Sequence, residues 1–130
     1  MTDAPAYGDF PLKQHLGMAL GGDEPGRATC RIEVGEHHLN PNGMVHGAVL
    51  FAMVDTAMGK AAMSVLDEGQ FCATVDLQLR FVRPSSDHEL VASVEVLKRG
   101  KHVLHLEGRV EDTHGRLIAT ASSTFAVITF

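Results

Sequence analysis

Residues 46–66 read HGAVLFAMVDTAMGKAAMSVL, and no other stretch restricts the fold as strongly. The run predicts a helix over about 47–66, stopped by DEGQ with Gly69 as the breaker. Apolar or small residues fall on nearly every side of it, and a helix apolar all round has to be covered on all sides. Asp55 and Lys60 interrupt the run, so it is not a membrane span.

The rest of the chain supplies the cover as strands. RATCRIEV alternates, with Ala28, Cys30, Ile32 and Val34 on one face. GEHHLNPNGMVHG, rich in Gly, Pro and Asn, reads as the loop into the helix. After the helix the period becomes two: Val75, Leu77, Leu79 and Phe81 share a face. Leu90, Ala92, Val94 and Val96 do the same, as do Leu104, Leu106 and Val110. EDTHGR predicts a hairpin turn, and LIATASSTFAVITF a last long strand. FPLKQHLGMAL predicts one or two helical turns before GGDEPG.

One strand, one helix and four closely linked strands predict an α+β architecture. An antiparallel curved sheet wraps around a central helix, and a second chain covers what the sheet leaves open. With no internal repeat or low-complexity tract, residues 1–130 are expected to form a single domain, its core about 27–128 and an N-terminal extension over 1–26. The length suffices for one sizeable core. The balance of 11 basic against 16 acidic residues, or −5, argues against broad nucleic-acid binding, and 5% aromatic content without Trp leaves little surface for stacking bases. The N-terminus carries no charged-then-apolar leader, so Cys30 and Cys72 are expected as reduced thiols in a soluble, cytoplasmic protein.

Asp55 is the anomaly. On a helix it faces Phe51, Ala52, Met58 and Gly59, none of which can pair with a carboxylate. Its partner must lie elsewhere in the fold, in water or in a ligand. A structural carboxylate held by loop amides is the plain reading. Against it stands the helix start at His46-Gly47, where free N–H groups and the positive dipole end suit a developing oxyanion. Gly47 and Asp55 are eight residues apart, about 12 Å of helical rise. One reacting carbonyl cannot touch both within a chain, so their cooperation requires a dimer.

The motif N-x-x-G-x-x-H-G (Asn40, Gly43, His46, Gly47), with an acid nine positions after the His, resembles the hotdog-fold acyl-CoA thioesterases of the phenylacetic-acid-degradation, PaaI-like type. TVDLQLRFVRP, KRGK and VEDTHGRLIATASSTF extend the resemblance over roughly residues 27–128. It implies a hotdog fold, with the helix wrapped by an antiparallel sheet and paired into homodimers and homotetramers. It implies hydrolysis of a small aromatic or short- to medium-chain acyl-CoA to free acid and CoA. Asp55 would be the catalytic nucleophile or general base, Gly47 the oxyanion donor, and His46 and Asn40 the groups shaping that loop. Thr74 matches a position where some relatives carry a hydroxyl that holds the water. Many members have a second glycine after the His; here Ala48 stands there, and its amide is expected to remain available.

This chemistry needs a carbonyl held by donors and a base across from them, and poor solvation strengthens a carboxylate as a base. No metal is expected: His37 and His38 would point apart on an extended chain, as would His102 and His105. No cofactor is expected beyond the coenzyme A of the substrate. Five of the 11 basic residues (Arg80, Arg83, Lys98, Arg99, Lys101) fall between positions 80 and 101. Arg83-Pro84 and Arg99-Gly100-Lys101 are the choices for gripping the coenzyme's phosphates; the plain reading is solvated strand ends and a tight turn. Two other functions compete with hydrolysis. One is a hotdog hydratase or dehydratase pairing His46 with Asp55, and the other is an acyl-CoA-binding module without turnover.

Overall fold

The computed structural model describes residues 9–130. Helix α2 (Gly47–Met63) forms as the apolar run predicts, and ten of its residues are buried, Met53 and Met58 completely. It ends three residues earlier than expected. The Ser64 hydroxyl turns back to the Ala61 carbonyl at 2.6 Å and accepts the Gly26 N–H at 2.7 Å, which anchors the stop to the sheet.

Six strands wrap the helix: β1 (Ala19–Gly21), β2 (Arg27–Glu33), β3 (Gln70–Phe81), β4 (Glu89–Arg99), β5 (Val103–Asp112) and β6 (Leu117–Thr129). Their order is β1-β2-β4-β5-β6-β3, every pair antiparallel. This is the hotdog fold. The alternating residues read from β2, β4 and β5 face α2, with Cys30, Ile32, Leu90, Ala92, Leu104, Leu106 and Val110 all buried. Burial pushes the Cys30 thiol up to about 12, while Lys13 pulls weakly the other way, so this thiol stays protonated. Among the described residues no helix is long and apolar enough to cross a membrane.

The segment read as an N-terminal extension contributes both α1 (Pro11–Leu16) and β1, which adds to the edge of the sheet beside β2. Three residues are too few for a periodicity signal, so this strand went unpredicted. His37 and His38 also depart from expectation. They lie in a 3-10 turn (Glu36–His38) rather than an extended loop, with ring centroids 3.8 Å apart. His38 is buried; its Nδ1 accepts the Gly35 N–H at 3.0 Å, and its Nε2 lies 2.7 Å from the Leu16 carbonyl oxygen, fixing a neutral ring that ties α1 to the turn.

The largest correction concerns β3. Val75 has no partner in β6: the register passes from Thr74↔Phe125 directly to Asp76↔Thr124, a one-residue bulge. Val75 is 63% exposed, whereas Leu77 and Leu79 pack against the core. The bulge shifts the alternation by one, so Cys72 and Thr74 face α2 before it and Leu77 and Leu79 after it.

The predicted EDTHGR turn joins β5 to β6, with Gly115 at φ +74°. Asp112 organises it. Its Oδ1 accepts the N–H groups of His114 and Arg116, each at 2.9 Å, and its Oδ2 accepts Arg116 Nε at 2.6 Å. Burial works against the ionised carboxyl, but these donors outweigh it and hold Asp112 below the ordinary carboxylate range. Asp87, between β3 and β4, docks on the same turn. It accepts the Thr113 hydroxyl at 2.6 Å, the Thr113 N–H at 2.8 Å and the His88 N–H at 2.8 Å, and these donors hold it far below the usual range. The stabilisation is present above the unfolded carboxyl value near pH 4 and is lost as pH falls towards the depressed folded value. Asp87→Asn is therefore expected to melt below wild type at neutral pH, with the difference shrinking on acidification below about pH 4; melting temperatures of both proteins across that range check it.

Candidate active site

The N-terminus of α2 is built by two side chains, those of Asn40 and His46. Asn40 Oδ1 accepts the N–H groups of Asn42 at 2.9 Å and Met44 at 3.1 Å, closing the NPNG turn in which Gly43 takes φ +77°. Because both partners donate, the amide oxygen must face them, which leaves the Asn40 NH₂ a donor without an acceptor among the described residues. His46 is the N-cap: its Nδ1 accepts the Ala48 N–H at 2.9 Å and its carbonyl accepts the Val49 N–H at 3.0 Å. Its own N–H donates to the His38 carbonyl at 2.8 Å.

These bonds correct one expectation. The Ala48 amide is not available, since the His46 ring takes it. Gly47 N–H, by contrast, has no protein acceptor among the described residues, and it is the donor the helix start leaves open. An accepting Nδ1 carries no proton, so the neutral ring holds its proton on Nε2. His46 thus offers a second donor from an exposed side chain. A Cβ at residue 47 would meet the Phe81 ring at 3.1 Å, close enough that this exposed ring would have to shift slightly. Phe81 in turn stands edge-on to Phe51, with centroids 5.9 Å apart.

Asn40, Gly47, Arg83 and Pro84 line one cleft of about 420 Å³, together with apolar Met44, Leu50, Phe81 and Ile118. The Arg83 main chain is fixed by its N–H on the Ile118 carbonyl at 3.2 Å, and its guanidinium has no partner among the described residues.

Asp55 and Thr74 do not line that cleft. They form their own pair further along α2, where Thr74 Oγ1 donates to Asp55 Oδ1 at 2.7 Å. The carboxylate's partner is therefore a hydroxyl on β3, not loop amides, and no cation pairs with it among the described residues. Asp55 is half-buried, on a strip of α2 with Ala48 and Phe51 that the sheet does not cover. Cys72 lies alongside, its Sγ 3.9 Å from the Gly59 carbonyl. Burial raises its thiol first of all and the charge of Asp55 adds to this, while a backbone hydrogen bond opposes.

The other basic group lies at the far end of the sheet. Arg99 is engaged, donating to Gln70 Oε1 at 2.8 Å and to the Gly100 carbonyl, with Asp67 at 3.8 Å. Gly100 closes a tight turn on Val103, and Lys101 is exposed. Gln70 begins β3 and Phe81 ends it, so about 35 Å of strand separates Arg99 from Arg83. One chain does not bring the two basic groups together. Sequence reasoning missed the Phe51–Phe81 pair, Asp76 at the bulge and the His38 staple. Of these only Asp76, an acid inside an alternating strand, left a trace in the pattern.

Residues 42–119 match the thioesterase superfamily. Mouse acyl-coenzyme A thioesterase 13 is 28% identical over 102 residues, covering 77% of this chain and 72% of the relative. Among solved structures, the phenylacetic acid degradation-related protein of Ralstonia eutropha is 28% identical, with a TM-score of 0.81 and 88% of each chain covered. A thioesterase family protein of Silicibacter pomeroyi shares the fold at 23% identity, with a TM-score of 0.89 over 93% of this chain and 91% of that one. The chain belongs to the thioesterase superfamily and is a thioester hydrolase of the hotdog fold.

Proposed function

We propose that the protein is a homodimeric acyl-CoA thioesterase in which each site combines Gly47 of one subunit with Asp55 of the other. The observation that carries the proposal is the Gly47 amide at the start of α2, which has no acceptor among the described residues and shares a cleft with Asn40 and Arg83. The thioester oxygen binds this amide. The facing Asp55, oriented by Thr74, takes a proton from water as it attacks the carbonyl carbon, or attacks directly to form an anhydride that water then opens. The C–S bond breaks, the thiolate of CoA leaves with a proton, and the free acid remains.

The β3 edge supports the pairing. It is 12 residues long, uncovered, and exposes Val75 and Phe81, an edge that folded proteins seldom leave bare. Along β3, Thr74 marks the level of Asp55 and Phe81 the level of Gly47. If two β3 edges pair antiparallel about a two-fold axis near Leu77 and Gln78, Thr74 of each lies opposite Phe81 of the other. Asp55 then faces the partner's Gly47. Two dimers would associate into the homotetramer the resemblance implies, which sedimentation of the purified protein tests. Free Cys30 and Cys72 accord with a cytoplasmic setting.

Hydrolysis is favoured over hydration or dehydration because His46 uses its unprotonated nitrogen on Ala48 and has none left to act as a base. A thiol-release assay over aryl, short and medium acyl-CoAs tests the reading: free thiol without enoyl absorbance is expected, and enoyl formation without thiol would overturn it. Arg83→Ala is expected to raise KM for acyl-CoA about three- to tenfold with kcat unchanged. The effect should vanish with the corresponding N-acetylcysteamine thioester, which has no phosphates.

A further inference from the structure

We infer that Asp76 is a positioning residue for hydrolysis, holding the β3 bulge that turns Thr74 towards Asp55; the inference rests on the role proposed above for Asp55. The argument begins with the alternation of side chains along a strand. Strict alternation through residues 72–81 permits two arrangements. If Thr74 faces α2, then Asp76, Gln78 and Arg80 face the core. If Leu77, Leu79 and Phe81 face inward, Thr74 turns away from Asp55.

The chain takes neither. Cys72 approaches Gly59 of α2 and Thr74 donates to Asp55, yet Leu77 and Leu79 also pack inward and Phe81 covers Gly47. Both sets face α2 only because Val75 is an extra residue between Thr74 and Asp76 without a partner in β6.

Asp76 is the first residue after the irregularity, and its Oδ1 accepts the Thr124 N–H at 3.1 Å. Thr124 is also the residue of β6 opposite Asp76, where the shifted register begins. A side-chain acceptor reaching across to the facing strand at this point pins the new register. It also counters slippage into the uninterrupted alternation that the sequence would otherwise favour. Asp76 points away from α2 and does not touch Asp55, so it acts only through Thr74.

The test is steady-state kinetics on the full-length protein with the best acyl-CoA from the thiol-release panel. Asp76→Ala is expected to lower kcat about fivefold, the size of one lost orienting hydrogen bond, with KM unchanged. Asp76→Asn, whose amide oxygen still accepts, should retain most of the rate. Asp76→Ala combined with Thr74→Ala should be no slower than Thr74→Ala alone, because both remove the same orientation. Full kcat in Asp76→Ala, or losses that multiply in the double variant, would overturn the inference. Should Asp76→Ala fail to fold, Asp76→Val carries the same expectations on a strand-favouring side chain that has no acceptor. Asp55→Ala run alongside separates the two ideas. Turnover retained there overturns the proposed catalytic role, whereas its loss together with full rate in Asp76→Ala overturns only the role of Asp76.

Discussion

Asp55→Ala is expected to lower kcat for thioester hydrolysis at least about a thousandfold while the proposed dimer and the melting temperature are retained. The stability expectation follows from the surroundings of the side chain. Asp55 is half-buried and makes one described hydrogen bond, to the Thr74 hydroxyl, and Thr74 is itself exposed and can turn to water. Removing the carboxylate strands no buried donor, so the fold loses little. The kinetic expectation follows from the absence of a substitute. The neighbours of Asp55 on its helix face are Phe51, Ala52, Met58 and Gly59, and the Cys72 thiol alongside is held protonated by burial, which the substitution leaves in place. Thr74→Ala should cost far less, because it loosens the base without removing it. Turnover in Asp55→Ala within tenfold of wild type would rule out the carboxylate as the reacting group.

What could be read in advance divides along physical lines. The apolar helix and the strands of even alternation were legible, because burial on one face writes a period into the residues. The bulge at Val75 was not. Val75, Leu77, Leu79 and Phe81 alternate without a fault, and it takes the strand register, the exposure of Val75 and the hydrogen bond from Thr74 to Asp55 to reveal that the first of them faces outward. Read without the bulge, the pattern is at odds with any role for Thr74 beside Asp55, since it turns the two to opposite sides of the strand. Asp55 itself stood out through the cost of a charge on an apolar helix. The open amide of Gly47 was half legible. The helix start announced free donors, but which one stays free depends on the His46 ring choosing Ala48, and ring orientation has no sequence signature. The basic residues failed to converge for a related reason: nearness in sequence around a hairpin places Arg99 with Gln70 and Asp67, a strand's length from Arg83.

Gly47→Pro is expected to lower kcat about a hundredfold or more and leave α2 intact. An amide donor cannot be deleted by exchanging a side chain, but proline removes the N–H itself. Position 47 is the first residue of the helix, where proline is favoured because that N–H has no helical acceptor and its φ is already suitable. The preceding residue must be extended, and His46 is, at φ −66° and ψ 138°. Gly47→Ala is the matched control: it brings the same Cβ against Phe81, whose exposed ring can yield, but keeps the donor. A large loss in the proline variant with a small one in the alanine variant assigns the effect to the amide; equal losses would assign it to crowding by Phe81. The pair of dead variants then tests the shared site. In a heterodimer of Asp55→Ala with Gly47→Pro, one site receives both an intact amide and an intact carboxylate, and the other receives neither. Random exchange of equal amounts should restore about a quarter of wild-type activity. If both groups served a carbonyl within a single chain, mixing would restore nothing.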